Sequence, residues 1–125
     1  MVLDPILNLT QDTVGSFILF VPIPTPVLVD SKRLNVDQVI VRFSSNSSTA
    51  KITDVQLFDG EETLMESPNL NMFRAIDLGI WKVGNSPGVM WGLVIAITVK
   101  FDGTDPPGGN FNLFGAGVEF LLLTQ

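Results

Sequence analysis

Apolar residues recur at every second position along most of this chain, in short stretches separated by glycine and proline. A period of two is the signature of a strand with one face turned to a core, whereas a helix needs apolar positions three and four apart. No stretch carries the helical spacing. The 11 glycines and 8 prolines spread along 125 residues cut the sequence into pieces of strand length. The chain is therefore constrained to an all-β fold.

The strand readings follow from that pattern. Val14 to Val21 is the first, rich in Phe, Ile and Val. Pro22, Pro24 and Pro26 cannot donate to a ladder, so the following segment is extended and belongs on a sheet edge or a crossing between sheets. Val27 to Val29 resumes pairing. Val36 to Ser44 puts Val39, Val41 and Phe43 on one face. Lys51 to Asp59 sets Thr53, Val55 and Leu57 against Ile52, Asp54, Gln56 and Phe58. Asp59-Gly60 is a turn signal, and Glu61 to Glu66 returns from it. Phe73 to Val83 alternates Ile76, Leu78 and Ile80 with Asp77, Gly79 and Trp81. Trp91 to Phe101 places Trp91, Leu93, Ile95, Ile97, Val99 and Phe101 on one face, which predicts Trp91 in the core or an interface. Phe111 to Leu123 is apolar on both faces, with Phe114, Ala116, Val118, Phe120 and Leu122 opposed to Leu113, Leu121 and Leu123. About seven to eight strands at this spacing predict an antiparallel β-sandwich, jelly-roll or Greek-key like, as a single domain over residues 1–125.

Several pieces resemble a family of small single-domain β proteins of unknown function. They are Phe20-Val-Pro-Ile-Pro-Thr-Pro-Val-Leu-Val-Asp30, Arg33-Leu34 with Val39-Ile-Val-Arg-Phe43, Ala50 to Gly60, Trp91-Gly-Leu-Val-Ile95, and Gly115-Ala-Gly-Val-Glu-Phe120. The similarity covers most of residues 17–122. It implies a compact β domain and assigns no site residues.

Composition removes several chemistries. His, Cys and Tyr are absent, which excludes imidazole and thiol nucleophiles, disulfides and His/Cys zinc sites. With 7 Lys+Arg against 13 Asp+Glu and a net charge of -6, the chain is a poor partner for nucleic acid. No segment reaches the ~18–20 continuous apolar residues of a membrane helix. The opening Met-Val-Leu-Asp-Pro lacks the basic region of a secretory signal, so the default expectation is the cytoplasm.

What remains is a short set of candidates. Asp54, Asp59, Glu61 and Glu62 are grouped around one hairpin and read as a solvated turn rather than a hydrolase's carboxylate pair. Asp77 and Glu119 interrupt apolar stretches and read as hydrogen-bonded or ion-paired positions. Asp102 and Asp105, in Asp102-Gly-Thr-Asp105, have the oxygen ligands of a weak Ca²⁺ pattern, although a plain turn explains them. Trp81 and Trp91 flank the Gly84–Gly88 turn and both could stack on a sugar ring; because the phase of Trp91 points to the core, the sugar platform is placed at Trp81, with Asp77 and loop residues. Ser44, Ser45, Ser47 and Ser48 have no base to activate them. The two-faced last strand is the strongest lead: Phe114, Val118, Phe120 and Leu122 are the expected contact of a homo-oligomer. The sequence thus favours a non-enzymatic, self-associating structural or binding module without a cofactor. A carbohydrate-binding module is the alternative, and a carboxylate-dependent hydrolase comes behind both.

Overall fold

The computed structural model describes residues 7–11, 15–24, 28–29, 32–45, 50–73, 77–85, 87–101 and 109–122. Nine strands lie among them and no helix: β1 (Leu7–Gln11), β2 (Gly15–Ile23), β3 (Leu28–Val29), β4 (Lys32–Ser45), β5 (Ala50–Asp59), β6 (Glu62–Ser67), β7 (Asp77–Lys82), β8 (Leu93–Phe101) and β9 (Gly109–Leu122). Every pairing is antiparallel.

The pairings are nested. β5 pairs β6 across a tight turn, β4 pairs β7, β2 pairs β8 and β1 pairs β9. The chain thus forms one long hairpin of four paired steps. That ribbon is wrapped on itself, so β9 also pairs β4 and β8 also pairs β5. The result is one sheet in the order β1-β9-β4, with β7 on the far side of β4 and the two-residue β3 also on β4. The other sheet runs β2-β8-β5-β6. This is the jelly-roll path expected for a sandwich of eight principal strands. Pro22 lies in β2, at the edge of its sheet, which is one of the two places that the proline spacing allowed.

The core fills the space between the sheets. Val39, Val41 and Phe43 of β4 meet Val55 and Leu57 of β5 and Leu93, Ile95, Ile97, Val99 and Phe101 of β8. Phe43 and Phe111 stack at 5.7 Å, and Phe17 meets Phe101 edge-on at 5.9 Å.

Three strands keep their apolar residues inward only by means of a β-bulge, an extra residue on one strand that shifts its phase. In β4 the register steps between Val36 and Gln38, so Val36 and Val39 are both buried. In β5 it steps between Ile52 and Asp54. Thr53 is the extra residue, and Ile52 and Val55 share the core face. The strict alternation read from the sequence, with Ile52 opposite Val55, is corrected there. In β9, Phe43 pairs Leu113 and Arg42 pairs Gly115, which leaves Phe114 as the extra residue.

The bulge in β9 overturns the reading of that strand as apolar on both faces. Phe111 and Leu113 point inward before it, and Ala116, Val118 and Phe120 pack against the core after it. Gly115, Gly117, Glu119 and Leu121 take the outward positions. Val118 and Phe120 are therefore core-side residues rather than an outer contact. Phe114 is half-buried at the bulge, and of Leu122 the strand position alone, opposite Leu34, is described.

In β7 the alternation alone left the inward face open, and the structure settles it. Leu78 and Ile80 are exposed, and the inward positions are Gly79 and Trp81. An alanine Cβ at position 79 would lie 2.3 Å from the Trp81 ring, so glycine is what lets that indole lie flat along its own strand.

The phase of β9 is checked by two substitutions. Val118→Asp puts an unpaired carboxylate on the core side and should lower stability by at least ~2 kcal/mol in urea unfolding. Leu121→Asp should stay within ~0.5–1 kcal/mol. The reverse order would mean that β9 has no phase shift.

Candidate functional site

At one end of the β5–β6 hairpin a single carboxylate organises the surface. Asp59 is the last residue of β5, opposite Glu62 of β6 and Leu93 of β8. Its side chain is 1% exposed. Oδ2 accepts the N–H of Met90 at 2.7 Å, and Oδ1 accepts those of Trp91 and Gly92 at 2.8 and 2.9 Å. Charge-assisted bonds to consecutive backbone donors are strong and directional. They hold the approach to β8 in a fixed bend, and Gly60 N–H adds a bond to Gly92 O at 2.9 Å.

The bend explains why Trp91 is not where its phase placed it. The strand expected from Trp91 starts at Leu93, because the N–H groups of residues 90–92 are taken by Asp59 rather than by a neighbouring strand. Trp91 is turned outward and 76% exposed. Its indole lies across the turn glycine, where a Cβ would come within 3.1 Å of the ring. Gly60 also has φ +60, and Glu61 does not share the positive sign, which is the pattern of a type II′ hairpin turn. Trp91, Gly60, Glu61 and Glu62 border an open pocket of about 480 Å³ over Asp59. A rigidly held aromatic face, flanked by two carboxylates, can stack on a ring and accept hydrogen bonds from its hydroxyls.

A second, larger cavity of about 660 Å³ lies at the other end of β5. Lys51 and Lys100 face each other across the β5–β8 ladder, and the next outward pair is Asp54 and Thr98. Residues 68–71 form the remaining wall. They are fixed by Leu70 N–H to Thr53 O and by the reciprocal bonds between Ile52 and Met72. Asn69 holds φ 58, a left-handed conformation that asparagine tolerates. Oδ1 of Asp54 is buried with no hydrogen-bond partner among the described residues. Burial raises the Asp54 carboxyl above its ordinary value, and the neighbouring charge of Glu66 adds to the rise.

The residues offered by the sequence fall as follows. Trp81 is half-buried and packs against the core. Asp77 enters as a backbone position opposite Phe43, and its side chain is outside the described residues. Asp102 and Asp105 lie outside the described residues as well. Among the described residues no group of three or more acidic side chains could hold a metal ion. Glu119 accepts a hydrogen bond from Gln38 on the outer face of β9. Of the hairpin acids, Glu61 and Glu62 are exposed as expected, but Asp59 is a buried structural acceptor and not a solvated turn residue. The sequence did signal Asp59-Gly60 as a turn. Nothing in it signalled that the same carboxylate would reach residues 90–92, more than thirty positions away.

The Asp54 environment makes a pH prediction. Folding favours its neutral form, so the native state loses stability as pH rises through the raised folded value. Below the ordinary value both folded and unfolded chains are protonated and the penalty is absent. Asp54→Asn should therefore raise the urea midpoint at pH 7. That gain should shrink as pH falls through about 4. Midpoints measured from pH 3 to 7 check this, and a pH-independent gain would contradict it.

The chain belongs to a family of unknown function, DUF6623, whose model matches residues 4–122. No curated protein and no solved structure is significantly similar to it.

Proposed function

Starting from membership in a family with no assigned activity, we propose that this protein is a non-enzymatic binding module whose ligand platform is Trp91. The observation that carries the reading is the exposed indole on a bend pinned by three N–H bonds to one buried carboxylate. Large exposed aromatics are unfavourable in water, and a fixed one pre-organises a stacking surface without an ordering penalty on binding. Glu61 and Glu62 beside it suit a ligand with several hydroxyl donors. A carbohydrate ring is the ligand class that uses both features. The sugar reading attached to Trp81 in the sequence thus moves to the other tryptophan.

A second reading, self-association, is favoured by β2. Its inward residues Leu19, Val21 and Ile23 pack on the core, while Ile18 and Phe20 on its other face are 55% and 65% exposed. The strand with two apolar faces is β2 rather than β9. Phe20 stands opposite Ala96, which it helps to bury, and Pro22 stands opposite the half-buried Val94. Pro22 obstructs strand addition along that edge, so the contact would be between sheet faces.

The platform is tested by tryptophan fluorescence across a broad glycan panel. Binding should quench emission, and Trp91→Ala should weaken affinity by about tenfold or more, a loss of ~1.4 kcal/mol. Trp81→Phe should retain binding. No response to any glycan, or an unchanged Trp91→Ala, would remove the reading. Self-association is tested by light scattering after gel filtration. A dimer or larger species at micromolar concentration that dissociates in Phe20→Ser is expected, and a clean wild-type monomer would remove it.

A further inference from the structure

We propose that the cavity between the start of β5, the end of β8 and residues 68–71 binds a tetrahedral oxyanion, a phosphate or sulfate group. It is distinct from the Trp91 pocket, since Lys51 and Asp59 lie near opposite ends of the ten-residue β5. Eight residue steps along the strand separate them, roughly 26 Å at ~3.3 Å per residue.

The argument starts from charge placement. The chain has 7 basic residues among 125, yet two of them, Lys51 and Lys100, are directly opposite on one face of the β5–β8 ladder. Like charges in that position are destabilising, because the Cβ atoms are only ~4.5–5.5 Å apart. Lys82 illustrates the ordinary arrangement elsewhere in the fold, paired with Asp37 at 3.1 Å. Among the described residues no carboxylate lies within ion-pair distance of Lys100. Lys51 has an interaction of its own, so the uncompensated charge is that of Lys100, and an anion beside Lys100 is attracted by both ammonium groups.

The rest of the lining suits that anion. Thr98, Asn69 and Asn71 bring a hydroxyl and two amides, short neutral donors of the kind that complete the coordination of an oxyanion. The loop carrying the asparagines is tied to β5 by backbone bonds of 2.9–3.2 Å, so its backbone is in place before the ligand arrives. The volume of about 660 Å³ exceeds what a bare oxyanion fills, which leaves room for a small organic group esterified to it. The overall charge of -6 does not oppose binding strongly. Charges beyond ~8 Å are largely screened at physiological ionic strength, whereas the two lysines are within the cavity. Asp54 is the one acid in the lining and works against the anion.

The test uses the intact chain and backbone amide chemical shifts. Titrations with sodium phosphate, sodium sulfate and glucose 6-phosphate are compared with glucose and with sodium chloride at matched ionic strength. Saturable shifts at residues 51–54, 69–71 and 98–100 are expected with the oxyanions and absent with chloride or glucose. Tighter binding of glucose 6-phosphate than of phosphate assigns the site to an ester, and equal binding assigns it to the free ion. Lys100→Gln and Lys51→Gln should each weaken binding at least tenfold, and Asp54→Asn should strengthen it. Both lysine variants should keep the wild-type pattern of shifts elsewhere, which separates loss of a ligand contact from loss of fold. Should Lys100→Gln fail that control, Lys100→Arg serves instead and retains saturable binding. Shifts reproduced by chloride, or affinities unchanged in the lysine variants, would overturn the proposal. These outcomes are independent of glycan binding at Trp91.

Discussion

A strand in a two-layer sandwich buries only alternate side chains, and the sandwich holds only if each strand keeps its apolar residues on the inner side along its whole length. Everything else in this structure depends on that phase. β8 keeps it without interruption over Leu93–Phe101 and is paired on both sides, by β2 and β5. β2 keeps it too, in continuous register with β8, whereas three other strands need a bulge. β4, β5 and β9 each insert one residue, at Asp37, Thr53 and Phe114, and resume with the apolar set facing inward. The bulges thus reconcile an imperfect alternation in the sequence with a continuous core.

The same devices position the surface features. The extra residue Thr53 turns Lys51 and Asp54 to one outer face although they are three apart, and its carbonyl receives the loop that walls the larger cavity. At the other end of β5 the ladder ends in Asp59. Its carboxylate substitutes for a neighbouring strand and satisfies three backbone donors that would otherwise be orphaned. That capture removes residues 90–92 from the β8 alternation and leaves Trp91 outside the core. One strand therefore carries a candidate site at each end, and the core-facing residues between them make its position rigid.

Much of the fold was legible in the chain. The period-two spacing, the Gly and Pro punctuation and the turn at Asp59-Gly60 are local properties, and the structure realises each of them; of the edge or crossing that the prolines allowed, it takes the edge at Pro22. The candidate sites were much less legible. Trp81 and Trp91 both continue apolar alternations, and no neighbour in the sequence distinguishes the one that packs over Gly79 from the one that is turned out by Asp59. Lys51 and Lys100 are forty-nine positions apart and meet only through the β5–β8 register. Reading β9 as two-faced failed for a similar reason, since a bulge is fixed by the register with β4 and not by the residues of β9 alone.

The sequence by itself determined that this protein is a layered β structure with an extended segment around Pro22, because hydrophobic period and backbone stereochemistry act within a few residues. Tertiary structure alone decided which faces of β2, β7 and β9 are outside, where the strands change phase, and which tryptophan meets solvent. Those outcomes depend on cross-strand register and on a carboxylate that bonds backbone more than thirty residues away. Such interactions have no local signal, because both partners acquire their geometry only when the sheets close around the core.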